Sequence, residues 1–217
     1  MNTLDSRFCR LGDTFAQKFS QAGTYTYDFN LPGLHRLSKD GQYIINVGGA
    51  SKDKKEGKQH YVTVVQRDKH LVADPPKLEI EAGDVVLWST TDPDTAGFSI
   101  SGQSEKDSFN SSALTREAMY SHAFGSPGEI EWEDVNSHRV YGKIIVKMPT
   151  AKTEKDMQAV RELLAKGTVV LIRGDKIEPA QVEISVGQTI FFAVEKADGI
   201  TITDRRLKVE IPDNPNA

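Results

Sequence analysis

Pro127-Gly128-Glu129-Ile130-Glu131-Trp132-Glu133-Asp134, followed after a polar turn by Gly142-Lys143-Ile144-Ile145-Val146, decides how this chain folds. Pro-Gly punctuates the start of a strand. The period-two alternation that follows sets Ile130 and Trp132 on one face and Glu129, Glu131 and Glu133 on the other. Ile130 and Trp132 are therefore predicted to face a core. Glu129, Glu131, Glu133 and Asp134 form an acidic run, in which Glu129, Glu131 and Glu133 are read as a solvated stripe rather than a cation site. The same pattern stands near the N-terminus, where Thr14 to Phe29 matches Met119 to Asp134 without a gap and Gln42 to Val47 supplies the closing strand. Tyr25, Tyr27 and Phe29 alternate there as Ile130 and Trp132 do, which predicts a core face rather than an aromatic sugar platform.

A second pattern recurs as well. Leu78-Glu79-Ile80-Glu81-Ala82-Gly83-Asp84-Val85-Val86-Leu87-Trp88 alternates, turns at Ala-Gly-Asp and resumes as an apolar strand, which predicts a hairpin. Val182 to Phe192 matches it, and Asp198-Gly199-Ile200-Thr201-Ile202 echoes Ala96-Gly97-Phe98-Ser99-Ile100. Internal self-similarity of this kind governs the fold. If the second pattern is a front half and the first a back half, the chain runs back half, complete copy, front half. Trp132, Tyr27, Ile80 and Ile184 are expected on inner faces.

These residues resemble the cupredoxin family, which includes plastocyanin and pseudoazurin. In that family Pro-Gly opens a strand that ends in a copper-binding Cys. A His and then a Met follow, before a closing Gly-x-Ile-x-Val strand, and a further His comes from the loop after the opening strands. The resemblance places the Cys position on Asp134, the later His on Ser137, the Met on Val140 and the first His on Phe98. In the partial copies the corresponding positions are Phe29, Pro32 and Ile200. A type 1 copper site needs two imidazoles and a thiolate, and this set of side chains does not provide them. His138 lies one residue beyond the expected position and does not replace the thiolate.

The resemblance implies an all-β chain of two Greek-key sandwiches plus one connecting helix. One sandwich is expected to be continuous over residues 60–148. The other is discontinuous, with residues 1–50 completed by residues 168–217, and a linker helix falls within 149–167. Because neither half closes alone, the two halves are expected to pair within one chain or between chains. In the connector, Thr153 is a plausible N-cap with Glu154 and Asp156 in the first turn. Met157, Val160, Leu163 and Leu164 form an apolar stripe expected to pack on a neighbouring sandwich, and Gly167 is a suitable stop. Lys52, Lys54, Lys55 and Lys58 mark a solvated linker.

Composition agrees with a globular β protein. The chain has 217 residues, 38% of them hydrophobic, and a formal net charge of −4. That balance gives no reason to expect a nucleic-acid partner, and no apolar run approaches a membrane span. One cysteine, Cys9, rules out an internal disulfide framework, and it is read as a small apolar residue at a strand start. A cytoplasmic or otherwise intracellular setting is expected, since the N-terminus lacks an apolar signal segment.

His35, His60, His70, His122 and His138 are scattered, and no phosphate loop, nucleophile elbow or metalloprotease motif occurs. No catalytic, cofactor-binding or metal-binding residue is therefore nominated, and no cofactor. The expectation is a non-enzymatic, copper-free structural or protein-interaction module, with an unidentified protein partner and possible self-association through the half-domains. The alternative is a module binding a small molecule, carbohydrate or divalent ion through the loops around the former copper pole.

Overall fold

The computed structural model describes residues 3–31, 43–50, 56–68 and 70–207. Among them the first half of the chain forms β1 (Asp13–Phe19), β2 (Gly23–Asn30), β3 (Tyr43–Gly48), β4 (Gln59–Arg67), β5 (His70–Asp74), β6 (Lys77–Glu81), β7 (Asp84–Ser89), β8 (Ser99–Gln103) and β9 (Ser108–Asn110). The second half forms β10 (Leu114–Thr115), β11 (Ala118–Ala123), β12 (Gly128–Asp134), β13 (Tyr141–Lys147) and the helix α1 (Glu154–Leu164). It continues through β14 (Thr168–Arg173), β15 (Lys176–Glu178), β16 (Gln181–Ser185), β17 (Thr189–Lys196), β18 (Asp198–Ile200) and β19 (Ile202–Asp204). The chain is mainly β, as the alternation predicted, and its strands are distributed over several mixed sheets. Pro32, His35 and the linker lysines 52, 54 and 55 lie outside the described residues.

An eight-stranded sheet in the order β15-β14-β17-β11-β1-β7-β4-β5 forms one layer. A five-stranded sheet, β6-β3-β2-β8-β9, and a four-stranded sheet, β16-β13-β12-β19, form the other. Phe15 and Tyr120 lie directly opposite each other on β1 and β11, so they share a face. Phe15 stacks on Trp88 and reaches Phe109 of the five-stranded sheet, at centroid distances of 5.4 and 6.2 Å. Tyr120 stacks on Phe192 at 6.3 Å, and Phe192 meets Trp132 of the four-stranded sheet at 5.0 Å. Both smaller sheets thus cover the same face of the large one. Trp132, Tyr27, Ile80 and Ile184 are buried in this core, as the alternation required, and so are Tyr25 and Phe29.

The predicted hairpins are not hairpins. β6 pairs in parallel with β3 in the five-stranded sheet, while β7 lies between β1 and β4 in the large sheet. β16 and β17 divide in the same way. The tight turn carries the chain from one layer to the other, through Gly83 and Gly187 at φ +98° and +84°. The residue after each glycine ties the crossing down. Asp84 accepts hydrogen bonds from the backbone N–H of Lys58 and Glu81 (2.6 and 3.0 Å) and meets His60 Nε2 at 2.9 Å. Gln188 accepts from Ser185 N–H and donates to the Lys166 carbonyl and Thr168 Oγ1.

Strand pairing also replaces the expected match of halves. β1, β2 and β3 pair with β7, β8 and β6, so residues 1–50 are completed by residues 59–110 and not by 168–217. β11, β12 and β13 pair likewise with β17, β19 and β16. Residues 60–148 therefore do not close on themselves; they contribute a front half to one unit and a back half to the next. The reason is connectivity: each back half is tethered to the front half that follows it, and a short tether raises the effective concentration of that pairing.

One part of the N-terminus does reach the C-terminal half. Asp5 bridges Thr203, Asp204 N–H donates to the Leu4 carbonyl, and Ser6 N–H donates to the Ile202 carbonyl, both at 2.8 Å. This segment covers β19 as β9 covers β8 in the first unit. Cys9 then crosses back to pair with Phe98, as Leu114 pairs with Ile200 in β10 and β18. The two units exchange their leading segments around the β1–β11 seam.

The helix has the expected N-cap. Thr153 accepts from Asp156 N–H and Asp156 returns a bond to the cap backbone, a capping box. Its apolar stripe does not pack as expected: no helix residue is buried, and Met157 and Leu163 are 46% and 41% exposed. At the C-terminal end Leu164 lies beside Gly187. Gly167 serves close approach rather than helix termination, because a Cβ there would fall 2.0 Å from the Phe191 ring.

Deleting residues 1–8 should empty the Leu4 site and leave the outer edge of β19 unpaired, its pairing with β12 remaining. The expected loss is about 2–5 kcal/mol, as for emptying a buried leucine position, read as a lower urea midpoint. The intact chain should keep the mass of a single chain across concentrations in light scattering. An unchanged midpoint in the deletion would remove the closing role of this segment.

Candidate functional site

Phe98 does not join Asp134, Ser137 and Val140 as the resemblance implied for one complete copy; it meets Phe29, while Asp134 lies beside Ile200. At the end of β2, Phe29 meets Phe98, with ring centroids 5.7 Å apart and planes near perpendicular. Cys9 lies on the same spot: its N–H donates to the Phe98 carbonyl and Phe98 N–H donates back, at 2.6 and 3.0 Å. All three side chains are buried. This pole is aromatic packing. Burial pushes the Cys9 thiol well above its ordinary pKa, and the nearby Asp13 charge adds to the rise. A protonated, enclosed thiol is a poor nucleophile and a poor ligand.

At the end of β12 the pole is polar but also filled. Asp134 is buried; one carboxylate oxygen accepts from Thr201 N–H (2.9 Å) and Asn136 N–H, and the other from Ser137 N–H and Ser137 Oγ, at 3.0 and 2.6 Å. The carboxylate staples the loop to the strand that carries Ile200, and its acceptor sites are occupied by the chain itself. Val140 is buried beside it, and its carbonyl accepts from Asp134 N–H at 2.7 Å. A groove of about 430 Å³ runs past this pole, lined by Asp134, Ser137, Asp175 and Lys196. His138 faces outward and pairs with Glu133 at 3.0 Å, away from the pole. Among the described residues no group of three or more His, Cys, Asp or Glu side chains is placed to hold a metal ion.

Glu133 corrects the solvated-stripe reading. Glu129 and Glu131 are exposed, but Glu133 is buried and accepts from Arg205 Nε at 2.9 Å as well as facing His138. Alternation places a residue on a face; it does not say that the face is wet.

A further polar cluster lies on the β1–β11 seam. His122 Nδ1 and Asp13 Oδ1 are 2.6 Å apart, and the Tyr120 hydroxyl donates to the same oxygen at 2.9 Å. Arg10 N–H donates to the other Asp13 oxygen. The His122 and Asp13 side chains are only 1% and 4% exposed. Burial raises the Tyr120 pKa well above that of a free phenol, and the Asp13 charge adds to it. His122 Nε2 is buried without a hydrogen-bond partner and the ring packs on Phe124 at 4.4 Å. This sealed His-Asp-Tyr set ties β1 to β11. The sequence read His122 as one of five scattered histidines. The available signal was that Asp13 and His122 both fall on inward positions of strands that prove to be neighbours.

The third feature is a groove of about 430 Å³ on the outer surface of the five-stranded sheet, lined among others by Thr26, Asp28, Asn30, Ser101, Gln103 and Asn110. Asn30 Nδ2 donates to Ser101 Oγ at 3.1 Å. One oxygen of Asp28 is buried there without a partner. No family model matches the chain, and comparisons with curated proteins and with solved structures likewise find no match.

Asp13→Ala should strand His122 and Tyr120 in the core and cost about 1–3 kcal/mol for each buried group left without its partner, measured by urea unfolding. A cost within a few tenths of a kcal/mol would mean the seam lock contributes nothing. Cys9 should resist a thiol reagent in the native chain and react fully on unfolding. Fast native labelling would contradict its enclosure.

Proposed function

We propose that this chain is a non-enzymatic, copper-free structural or protein-interaction module built on two degenerate cupredoxin-like units. The observation that carries the reading is the filling of both poles by the chain's own atoms. Phe29 packs on Phe98 in one unit, and Asp134 is spent on backbone and hydroxyl donors beside Ile200 in the other. Positions matched to a Cys and a His of the family meet in space in each unit, which supports the family resemblance itself. The parallel pairing of each closing strand with its opening strand, β3 with β6 and β13 with β16, accords with it.

What remains of such a scaffold is surface and shape. The protein partner and the intracellular setting belong to this proposal, as does the absence of membrane and of nucleic acid from its partners, the latter in keeping with the acidic net charge of −4.

A second reading, a ligand-binding module, is favoured by one specific observation: the polar groove that holds the unpartnered Asp28 oxygen. It lies along a sheet face rather than at the poles, so the two readings are compatible.

Copper titration followed by dialysis and metal analysis should leave no stoichiometric metal and no thiolate-to-copper absorption band. Retention of one copper per chain with an intense blue colour would overturn the proposal.

A further inference from the structure

We infer that the groove on the outer face of the five-stranded sheet binds a guanidinium-bearing ligand, with Asp28 as its anionic anchor. The inference rests on the ligand-binding reading above and names its chemistry.

The argument comes from comparing the two units position by position. Asp28 pairs with Ser101 across β2 and β8, and Glu133 pairs with Thr203 across β12 and β19. Tyr27 and Trp132 precede them as matched core residues, so Asp28 and Glu133 hold the same place on the outer faces of their sheets. In the second unit that place is filled by the chain itself. Arg205 follows β19, sends Nε to Glu133 at 2.9 Å and Nη1 to Glu131 at 3.3 Å, and lies over the Tyr141 ring at 5.2 Å. A guanidinium fork suits a carboxylate and an aromatic face together.

In the first unit the residue in register with Arg205 is Gln103, which pairs with Thr26. Among the described residues lining the groove none is a cation, and Asp28 is the one acid. Its buried oxygen has no hydrogen-bond partner. A buried carboxylate oxygen without a donor is costly. A ligand whose N–H groups reach it recovers that cost. A single carboxylate suits an organic monocation better than a divalent metal ion, which requires several oxygen ligands. Ser101, Asn30 and Asn110 offer hydroxyl and amide groups for the rest of the ligand, and Gly199 of β18 contributes to the wall. The groove thus keeps one carboxylate of the guanidinium site that Arg205 occupies in the second unit, with Thr26 in the place of Glu131.

The test is calorimetric titration of the full chain with N-acetyl-arginine amide, which presents the side chain as a polypeptide would, and with methylguanidine as the free-cation arm. N-acetyl-citrulline amide, which is nearly isosteric and neutral, and a neutral disaccharide are run beside them. Saturable binding of the arginine probe is expected, weaker by at least about tenfold for the citrulline probe and in Asp28→Asn, as for loss of a charge-assisted pair. Gln103→Arg should abolish binding, because the chain then supplies its own guanidinium, as it does at position 205. Binding by methylguanidine alone would assign the site to a free cation, and binding by the arginine amide alone to a polypeptide side chain. Either outcome supports the guanidinium chemistry. Equal affinity for arginine and citrulline probes, or an unchanged affinity in a folded Asp28→Asn, overturns the inference. Binding of the disaccharide alone overturns it and leaves the ligand-binding reading standing. Silence from every probe ends both.

Discussion

The pairing of β1 with β11 is the constraint on which the rest of the structure depends. It joins two sets of strands into one eight-stranded sheet, with Phe15 opposite Tyr120 at positions that match in the two copies. Because directly opposed residues share a face, this one register puts both aromatic cores on the same side. The two smaller sheets must then cover that side. It also removes two edges that would otherwise be open to pairing with other chains. The Asp13–His122–Tyr120 cluster lies on this seam, where loss of one partner would leave buried polar groups unmatched. Register and polar pairing therefore reinforce each other.

The exchange of leading segments follows from the same seam. Residues that enter β1 first cross to the far unit at Leu4 to Ser6, and the chain returns at Cys9. Residues 108–110 serve the near unit before the chain passes to β11. Each unit is thus completed by strand from the approach to the other, which couples their stability. The helix between β13 and β14 has no such role, since it is held by its own cap and a contact at its C-terminal end. Its length bridges the connection without burying its stripe.

The two units share a backbone and differ in how they use it. Where one pole holds Phe29 against Phe98, the other holds Asp134 on four donors. Where one outer face has Arg205 clamped by Glu131 and Glu133, the other has Gln103 and a bare Asp28 oxygen. Duplicate scaffolds relax the demands on each copy: one can satisfy its polar groups internally while the other leaves them open to a ligand. Function here is a matter of these few side chains, since the fold alone specifies none.

Much of this was legible in the residues themselves. Alternation located the strands and set Trp132, Tyr27, Ile80 and Ile184 inward. Thr153 and Asp156 announced the helix start. These features are local, and periodicity and capping are local rules. Which front half completes which back half was not legible, because both front halves carry the same pattern and either offers a matching apolar face. Gly83 and Gly187 looked like hairpin turns because a crossing between layers uses the same residues as a turn within one. The burial of Glu133 and the Asp13–His122 pair depend on partners 72 and 109 positions away. Only the tertiary structure decided those, since an unsatisfied or satisfied charge is a property of two distant side chains brought within hydrogen-bond distance.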